Sequence, residues 1–596
     1  MALAACFPFT TFGNPLDPNV VAGGASFQTQ GNALTVTNAP GTVINWQSFS
    51  IGQNEVTRFV QQSAASQVLN RVVGGDPSQI LGALQSNGQV FLINPNGIAF
   101  GPGAQVDVAG LVASTLNISN ADFLSGRLSF TAGGAAGNIR NDGTLRALDG
   151  GSIYLIAPSI ENNGVVSAPD GSIVLAAGKT ATLMDSNRPY VQVEITAGGE
   201  AVNVGQLVAS GVGIYAGTIR AGGTVDATRA VVDESGHVRF MASGDTTIAS
   251  DAVVTANGAT GGEVRVESGG TTWVEGSVSA QGTTGTGGRI ILSGAQVGLR
   301  EHGVVDASGA TGGGSVYIGG GPRGHDSSAP NALRAYIAPG AIVRADALTR
   351  GNGGTVVVWS DEFSAVHGRV AARGGAFGGN GGFIETSGGS LAISATPDVT
   401  APAGSGGTWL IDPNNIAIVA GVGVATGIGD ANPFLSTADG AQLGVDLIRT
   451  ALTGGANVTI TTGAGGTQAG DIVWNAGAPL DYNGHGANTL TLSAHNNIAL
   501  NSSITDSNAA TADRLNLTLA PDSDAAGGGA VSVASSIVLD LRGGVLQVNG
   551  GGITFGNGST LSNATLQAGV VTLNNGSIFF NGVTLATDFT VPAGAV

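Results

Sequence analysis

Along most of this chain aliphatic residues occupy every second position in short runs, and Gly, Asn, Asp and Pro punctuate the runs. Ala487–Leu500 (ANTLTLSAHNNIAL) and Arg514–Pro521 (RLNLTLAP) show the alternation plainly. A period of two puts alternate side chains on one face of a strand, so these runs predict half-buried β-strands. Between Asn87 and Ser119 three short strands follow one another: Val90 to Ile93, Ile98 to Phe100, and Val106 to Leu111. Asn94-Pro95-Asn96-Gly97 reads as a turn, because Pro95 presets φ and Gly97 accepts positive φ without a Cβ clash. Gly101-Pro102-Gly103 turns the chain again. Strands this short, joined by corners rather than hairpins, predict a backbone wound around a narrow core. The best helix-favouring stretch is Gln61–Val73.

Repeats strengthen that reading. Asn141–Ala157 (NDGTLRALDGGSIYLIA) is echoed by Asn162–Ala177 (NNGVVSAPDGSIVLAA), with the Asn corners 21 residues apart and the GSI triplets 20 apart. That is the length of one parallel β-helix coil. Coils stack at about 4.8 Å, and each inward aliphatic contributes roughly 1.5–3 kcal/mol of burial. One coil cannot hide its own core, so stability comes from its neighbours. A second pattern runs from Val225 to Ser387: a valine-rich strand, a corner, a Gly-Gly pair and another strand. The pairs begin at 261, 287, 313, 353 and 381, with spacings of 26, 26, 40 and 28. The long step is assigned to a polar lateral loop, Gly321–Tyr336 (GPRGHDSSAPNALRAY). Phe12 to Ser50, with Phe27, Leu34, Val36, Val43, Ile44, Trp46 and Phe49, and Ile51 beyond it, reads as an N-terminal β region of short alternating segments. A cap is needed because the first coil otherwise exposes apolar core and unpaired backbone groups.

Composition narrows the picture. Glycine supplies 100 of 596 residues, aromatic residues 5% and charged residues 10%, while 42% are hydrophobic. Such a chain suits a thin solenoid core and is not a disordered polar chain. Net charge is −18, and Lys179 is the sole lysine. No basic stripe interleaved with aromatics occurs, so nucleic acid is not an expected partner. Cys6 is the single cysteine, which leaves no intrachain disulfide. No apolar run approaches the ~20 residues of a membrane-spanning helix. Residues 1–11 read as a leader remnant. Leu3-Ala4-Ala5-Cys6 resembles a lipoprotein cleavage box but lacks a signal before it.

Leu69-Asn70-Arg71-Val72, DPSQILGALQSNG (Asp76–Gly88), FLINPNGIAFGPGA (Phe91–Ala104) and LVAS (Leu111–Ser114) together resemble the secretion domain of the two-partner secretion exoproteins of Gram-negative bacteria. Filamentous haemagglutinin and the high-molecular-weight adhesins belong to that group. Its other signature, Asn-Pro-Asn-Leu, has no clear match; Asp17-Pro18-Asn19-Val20 is similar only in flavour, so the transporter subgroup stays open. GTWLIDPNNIAI (Gly407–Ile418) resembles a segment that follows the shaft in such adhesins.

The resemblance implies an all-β, right-handed parallel β-helix with an N-terminal β cap and lateral loop insertions. It divides the chain into the leader remnant, a secretion (haemagglutination activity) domain with the first coils over 12–250, a glycine-rich shaft over 251–396 and a distal β-rich region over 397–596. It implies export through an outer-membrane β-barrel transporter with periplasmic peptide-binding domains, and a secreted, cell-surface location. Transporter recognition carries over to Asn94, Pro95, Asn96, Gly97 and Ile98. The two asparagines can serve as turn formers, as a stacked amide ladder or as direct contacts, and β-augmentation is a physically reasonable docking mode.

His237, His302, His325, His367, His485 and His495 form no HExxH and have no cysteine nearby, so they read as surface residues, with His325-Asp326 on the lateral loop. Asp233-Glu234 and Asp361-Glu362 are sequential pairs whose side chains diverge on a strand; coils above and below can still complete a two-carboxylate site. The Gly-Gly pairs precede strands rather than helices and so offer no helix N-terminus to a phosphate; solenoid corners explain them better. Sequons lie at Asn117, Asn457, Asn501, Asn516, Asn557, Asn563 and Asn575. No catalytic residue, metal or cofactor is expected. The first functional expectation is an adhesin or haemagglutinin binding a host or bacterial surface receptor, with glycans among the candidates. A cytolysin or contact-dependent toxin carrier is the second, and a β-helix polysaccharide lyase or hydrolase the third.

Overall fold

The computed structural model describes residues 13–184, 192–196, 198–227, 236–423, 440–463, 468–508, 510, 512–573 and 576–586. The leader remnant with Cys6, the pair Asp233-Glu234 and the sequon Asn575 lie outside the described residues. The protein is a parallel β-helix, and its contacts divide into two compact units, an N-terminal one reaching to about residue 270 and a C-terminal one that is continuous from 271 onward.

In the N-terminal unit the chain enters through antiparallel strands. Asn19–Ala22 pairs with Thr42–Trp46, and Ala25–Gln30 with Ala33–Asn38. Pairing then turns parallel, from Ala33–Asn38 onto Val56–Val60 and from Thr42–Trp46 onto Gln67–Val72. Trp46, Phe49 and Phe59 fill the first coil, with Phe27 set edge-on against Trp46 at 5.7 Å. Gln61–Val73 is therefore not a helix. Its Gln67–Val72 is a strand held between Thr42–Trp46 and Gln89–Ile93, and burial of Val68, Leu69 and Val72 outweighs a weak helical propensity.

The repeats stack in the register the spacing predicts. Ile139–Asn141 lies on Ser159–Asn162 with Asn141 opposite Asn162, and Ser152 lies opposite Ser172. Strand Gln89–Ile93 is nonetheless buried on both faces. A lateral antiparallel sheet of Leu128–Thr131, Thr180–Met184 and Gln192–Thr196, with the short helix Asn120–Leu124, packs on its outside. Phe91, Val112, Phe123, Phe130, Leu183 and Tyr215 form this second apolar layer, with Phe91 and Phe123 edge to face at 5.1 Å.

In the C-terminal unit one ladder runs from Arg289–Ser293 through Ser315–Ile318, Thr355–Val358 and Phe383–Ser387 to Thr408–Asp412 and Asn457–Thr461. It continues unbroken across residues 397–407. The Gly-Gly pairs beginning at 287, 313, 353 and 381 each sit just before one of these strands, as the pair at 261 sits before Glu263–Ser268, and the reason is space. A Cβ on Gly314 would lie 2.1 Å from the Gly288 carbonyl oxygen, one on Gly354 2.1 Å from that of Gly314, and one on Gly382 2.1 Å from that of Gly354. The lateral loop is shorter than expected, because Arg334–Ile337 is already a strand paired with Gln296–Leu299. A helix absent from the sequence reading, Val445–Thr453, lies beside the coils and buries Val445, Leu447, Ile448, Ala451 and Leu452.

Candidate functional site

The Asn94–Ile98 corner leaves the buried strand Gln89–Ile93 and leads into Ile98–Phe100. Asn94 is fully buried and its side chain is saturated. Its Nδ2 donates to the Asp76 carbonyl and to Ser78 Oγ, both at 3.0 Å, and its Oδ1 accepts from the Asn96 backbone N–H at 3.0 Å and from Asn96 Nδ2 at 3.1 Å. Asn96 Nδ2 also reaches the Gly74 carbonyl at 2.9 Å. Gly97 has φ +125°, and its N–H closes the turn onto the Asn94 carbonyl at 3.2 Å. Asn94, Gly97 and Ile98 are buried; Pro95 and Asn96 are exposed. Of the roles open to the asparagines, Asn94 is a turn former that ties two consecutive coils. The stacked amide ladder lies elsewhere, where Asn141 Nδ2 donates to Asn162 Oδ1 at 2.8 Å and Asn162 Nδ2 to Asn203 Oδ1 at 2.7 Å.

The neighbouring motif residues brace this corner. Asn70 Oδ1 accepts from Trp46 Nε1 at 2.9 Å, joining the cap to the motif coil. Arg71 donates to Asn117 Oδ1 at 3.1 Å, Asn120 Oδ1 at 2.8 Å and the Ile118 carbonyl at 2.6 Å, so it clamps the start of the lateral layer. Burial holds its guanidinium below the usual arginine range.

A second cluster lies under the lateral loop of the C-terminal unit. Glu385, on the strand Phe383–Ser387, is wholly buried. Its carboxylate accepts from the Arg323 backbone N–H at 3.0 and 3.2 Å and from Ser387 Oγ at 3.0 Å. Arg323 takes φ +53° to present that N–H, and Gly320 and Gly324 press on the Trp359 ring, where a Cβ would come within 2.7 and 2.6 Å. Burial, with a smaller contribution from Asp412 one coil further on, pushes the Glu385 carboxyl up to about 7. Burial raises Asp412 as well. Stacking thus creates a carboxylate pair that no sequential pair discloses. Asp361 and Glu362 do diverge: Asp361 binds Asn331 Nδ2 at 2.9 Å, and Glu362 pairs with Arg334 at 2.7 Å.

His367 corrects the surface reading. It is buried, its Nδ1 meets Ser394 Oγ at 2.6 Å, and burial lowers its pKa. Outward-facing sequon side chains are partly engaged: Asn457 Oδ1 accepts from the Thr489 N–H at 2.9 Å and Asn516 Oδ1 from the Val545 N–H at 3.0 Å.

A family model of the TPS secretion domain matches residues 16–248. The chain is 36% identical over 185 residues to a heme/hemopexin-binding protein of Haemophilus influenzae strain Rd, an alignment covering 29% of this chain and 20% of that protein. It is 43% identical over 88 residues to a second Haemophilus influenzae heme/hemopexin-binding protein, covering 15% of this chain and 10% of that one. The chain therefore spans a fifth or less of the length of these curated relatives. The crystal structure of the HMW1 secretion domain from Haemophilus influenzae aligns at a TM-score of 0.52 with 32% identity, covering 67% of this chain and 100% of that one. The coil stack and its braced corner define a secretion domain of the two-partner kind. The chain belongs to the two-partner secretion exoproteins, and it is a secreted protein of the extracellular space.

Proposed function

We propose that this exoprotein is a non-enzymatic adhesin, exported by an outer-membrane β-barrel transporter and held at the cell surface to attach to a host or bacterial receptor. The carrying observation is the C-terminal ladder of Val304–Asp306, Ile342–Arg344 and Arg369–Ala371, which buries Val305, Val343 and Val370 and leaves Arg344 and Arg369 reaching solvent on successive coils. Such a surface suits recognition of an extended partner. The transporter's peptide-binding domains meet the N-terminal domain near the Asn94–Ile98 corner. Their exposure makes Pro95 and Asn96 the motif residues open to direct contact, while the buried Asn94, Gly97 and Ile98 support the turn. The sealed position of Glu385 argues against lyase or hydrolase use of the carboxylate pair.

Expression with and without the cognate transporter, followed by binding of the exported chain to epithelial and bacterial cells, tests both parts. Transporter-independent export, or exported chain that binds no cell type, defeats the reading. Loss of target-cell viability would favour a cytolysin or toxin carrier instead, and release of unsaturated sugars a lyase. The names of the curated relatives favour a second reading, capture of heme or hemopexin. A hemin titration followed at the Soret band, and hemopexin pull-down, decide it.

A further inference from the structure

Three consecutive coils of the C-terminal unit create a cleft of about 200 Å³ on their outer face. Its centre is Ala371, opposite Arg344 in the coil before and bridged to Asp398 in the coil after. Arg369 lies two residues before it on the same strand face, and Arg373 two residues after it, just beyond the end of the strand. A methyl group surrounded by four long or charged side chains leaves a depression. Coils are about 4.8 Å apart and alternate residues roughly 6.6 Å apart, so the four charged groups converge on a region the size of one sugar ring.

The flanking charges are unequally occupied. Arg373 is tied to the buried Asp346 at 2.7 Å. Arg344 lies 4.0 Å from Asp306, and Asp398 Oδ2 lies 3.9 Å from Arg373; both separations exceed a hydrogen bond. Arg369 is exposed and has no ion pair or side-chain hydrogen bond among the described residues. Free guanidinium donors suit a carboxylate. Asp398 Oδ1 already accepts from the Thr400 N–H at 3.1 Å and from Thr400 Oγ1 at 2.7 Å, which leaves Oδ2 to accept from a sugar hydroxyl, beside the Thr396 hydroxyl, while Ile342 and Ala371 supply an apolar floor for ring C–H groups.

We propose that this cleft binds a carboxylate-bearing sugar residue of an acidic glycan, with Arg369 and Arg344 on the carboxylate and Asp398 and Thr396 on the hydroxyls. The inference deepens the attachment reading and rests on it for its biological meaning, but the binding itself can be measured alone. The probe is sodium glucuronate, titrated into the full chain and followed by NMR line broadening of the sugar, with sodium acetate and methyl glucoside as controls. Glucuronate should bind about tenfold or more tightly than either control, and Arg369→Gln should weaken it by a similar factor. Ala371→Leu, which keeps every charge and fills the floor, should abolish binding while the circular dichroism spectrum is unchanged. Equal binding of acetate and glucuronate, or an unaffected Arg369→Gln, overturns the proposal. If the exported chain binds cells but not glucuronate, the cleft assignment fails and the adhesin stands. If it binds glucuronate but no cell, the adhesin fails and the cleft stands.

Discussion

The two units solve the same stacking problem with different buried polar chemistry. Among the described residues, the buried polar side chains of the N-terminal unit are all neutral, Asn38, Asn70, Asn94, Asn141, Asn162 and Asn203 prominent among them. The C-terminal unit buries Asp306, Asp346, Glu385, Asp506 and His367. An amide carries donors and an acceptor together, so identical residues on successive coils can chain with no outside partner. A carboxylate only accepts when ionised, and must be met by N–H groups: Asp346 by the Arg373 guanidinium, Asp506 by the Asn508 and Leu515 backbones, Glu385 by the Arg323 backbone. Amide pairing is indifferent to pH, whereas carboxylate pairing is not. Acid–base sensitivity is thus concentrated in the C-terminal unit.

The most severe test attacks the column of glycines in the C-terminal unit, where Gly314, Gly354 and Gly382 stack on one another. Gly354→Val places a Cβ 2.1 Å from a backbone oxygen that has no room to withdraw. The expected cost is about 3 kcal/mol or more, seen by calorimetry as loss of the C-terminal transition with the N-terminal one retained.

Next is the pH contrast. Glu385 titrates near its usual 4.5 when unfolded and at about 7 when folded, so the native state holds the proton more tightly. Stability is then full below 4.5 and declines as pH rises through 7. Glu385→Gln keeps an acceptor for Arg323 and removes the titration. At pH 8 it should be about 3 kcal/mol more stable than the parent chain, and at pH 4 about equal; urea melts at the two pH values decide. A parent curve flat from pH 5 to 8 would refute the contrast.

Asn162→Ala should cost about 2 kcal/mol or more, because Asn141 Nδ2 and Asn203 Oδ1 lose their partner inside the core. The same loss at pH 5 and pH 8 would sharpen the distinction between the units. The smallest stability effect belongs to the exposed motif residue. Asn96→Ala should cost below about 1 kcal/mol, against about 2 kcal/mol for the buried Asn94→Ala. If Asn96→Ala stops export while melting normally, the corner is read directly by the transporter; if export tracks melting across both variants, the motif acts through folding.

Coil length was legible because corners repeat as Asn141 and Asn162 and as Gly-Gly pairs, and side-chain register then follows from alternation. The motif turn was legible from Pro95 and Gly97. Sites that depend on two coils were not. Glu385 and Asp412 are 27 residues apart, so the pairing emerges only when a coil length is added to each acid in turn. The lateral layer hid for a related reason: its strands Leu128–Thr131 and Thr180–Met184 are far apart in sequence and look like ordinary coil strands. That layer also buries both faces of Gln89–Ile93, which erases the alternation used to find strands. Gln61–Val73 misled because Ala, Gln and Leu favour helix locally while coil pairing decides the outcome. Val445–Thr453 carries a helical apolar period, but it sits among strand-like runs and is too short to dominate them.

The register of Arg289 on Ser315 makes residues 289–314 one complete winding, entered and left through the same pair of side-chain-free positions. Because both seams are identical backbone, that segment can be excised or duplicated and the flanking pieces will still meet in step. Recombination within the gene could therefore trim or extend the displayed surface in whole increments, leaving natural populations free to vary reach while the export module stays constant.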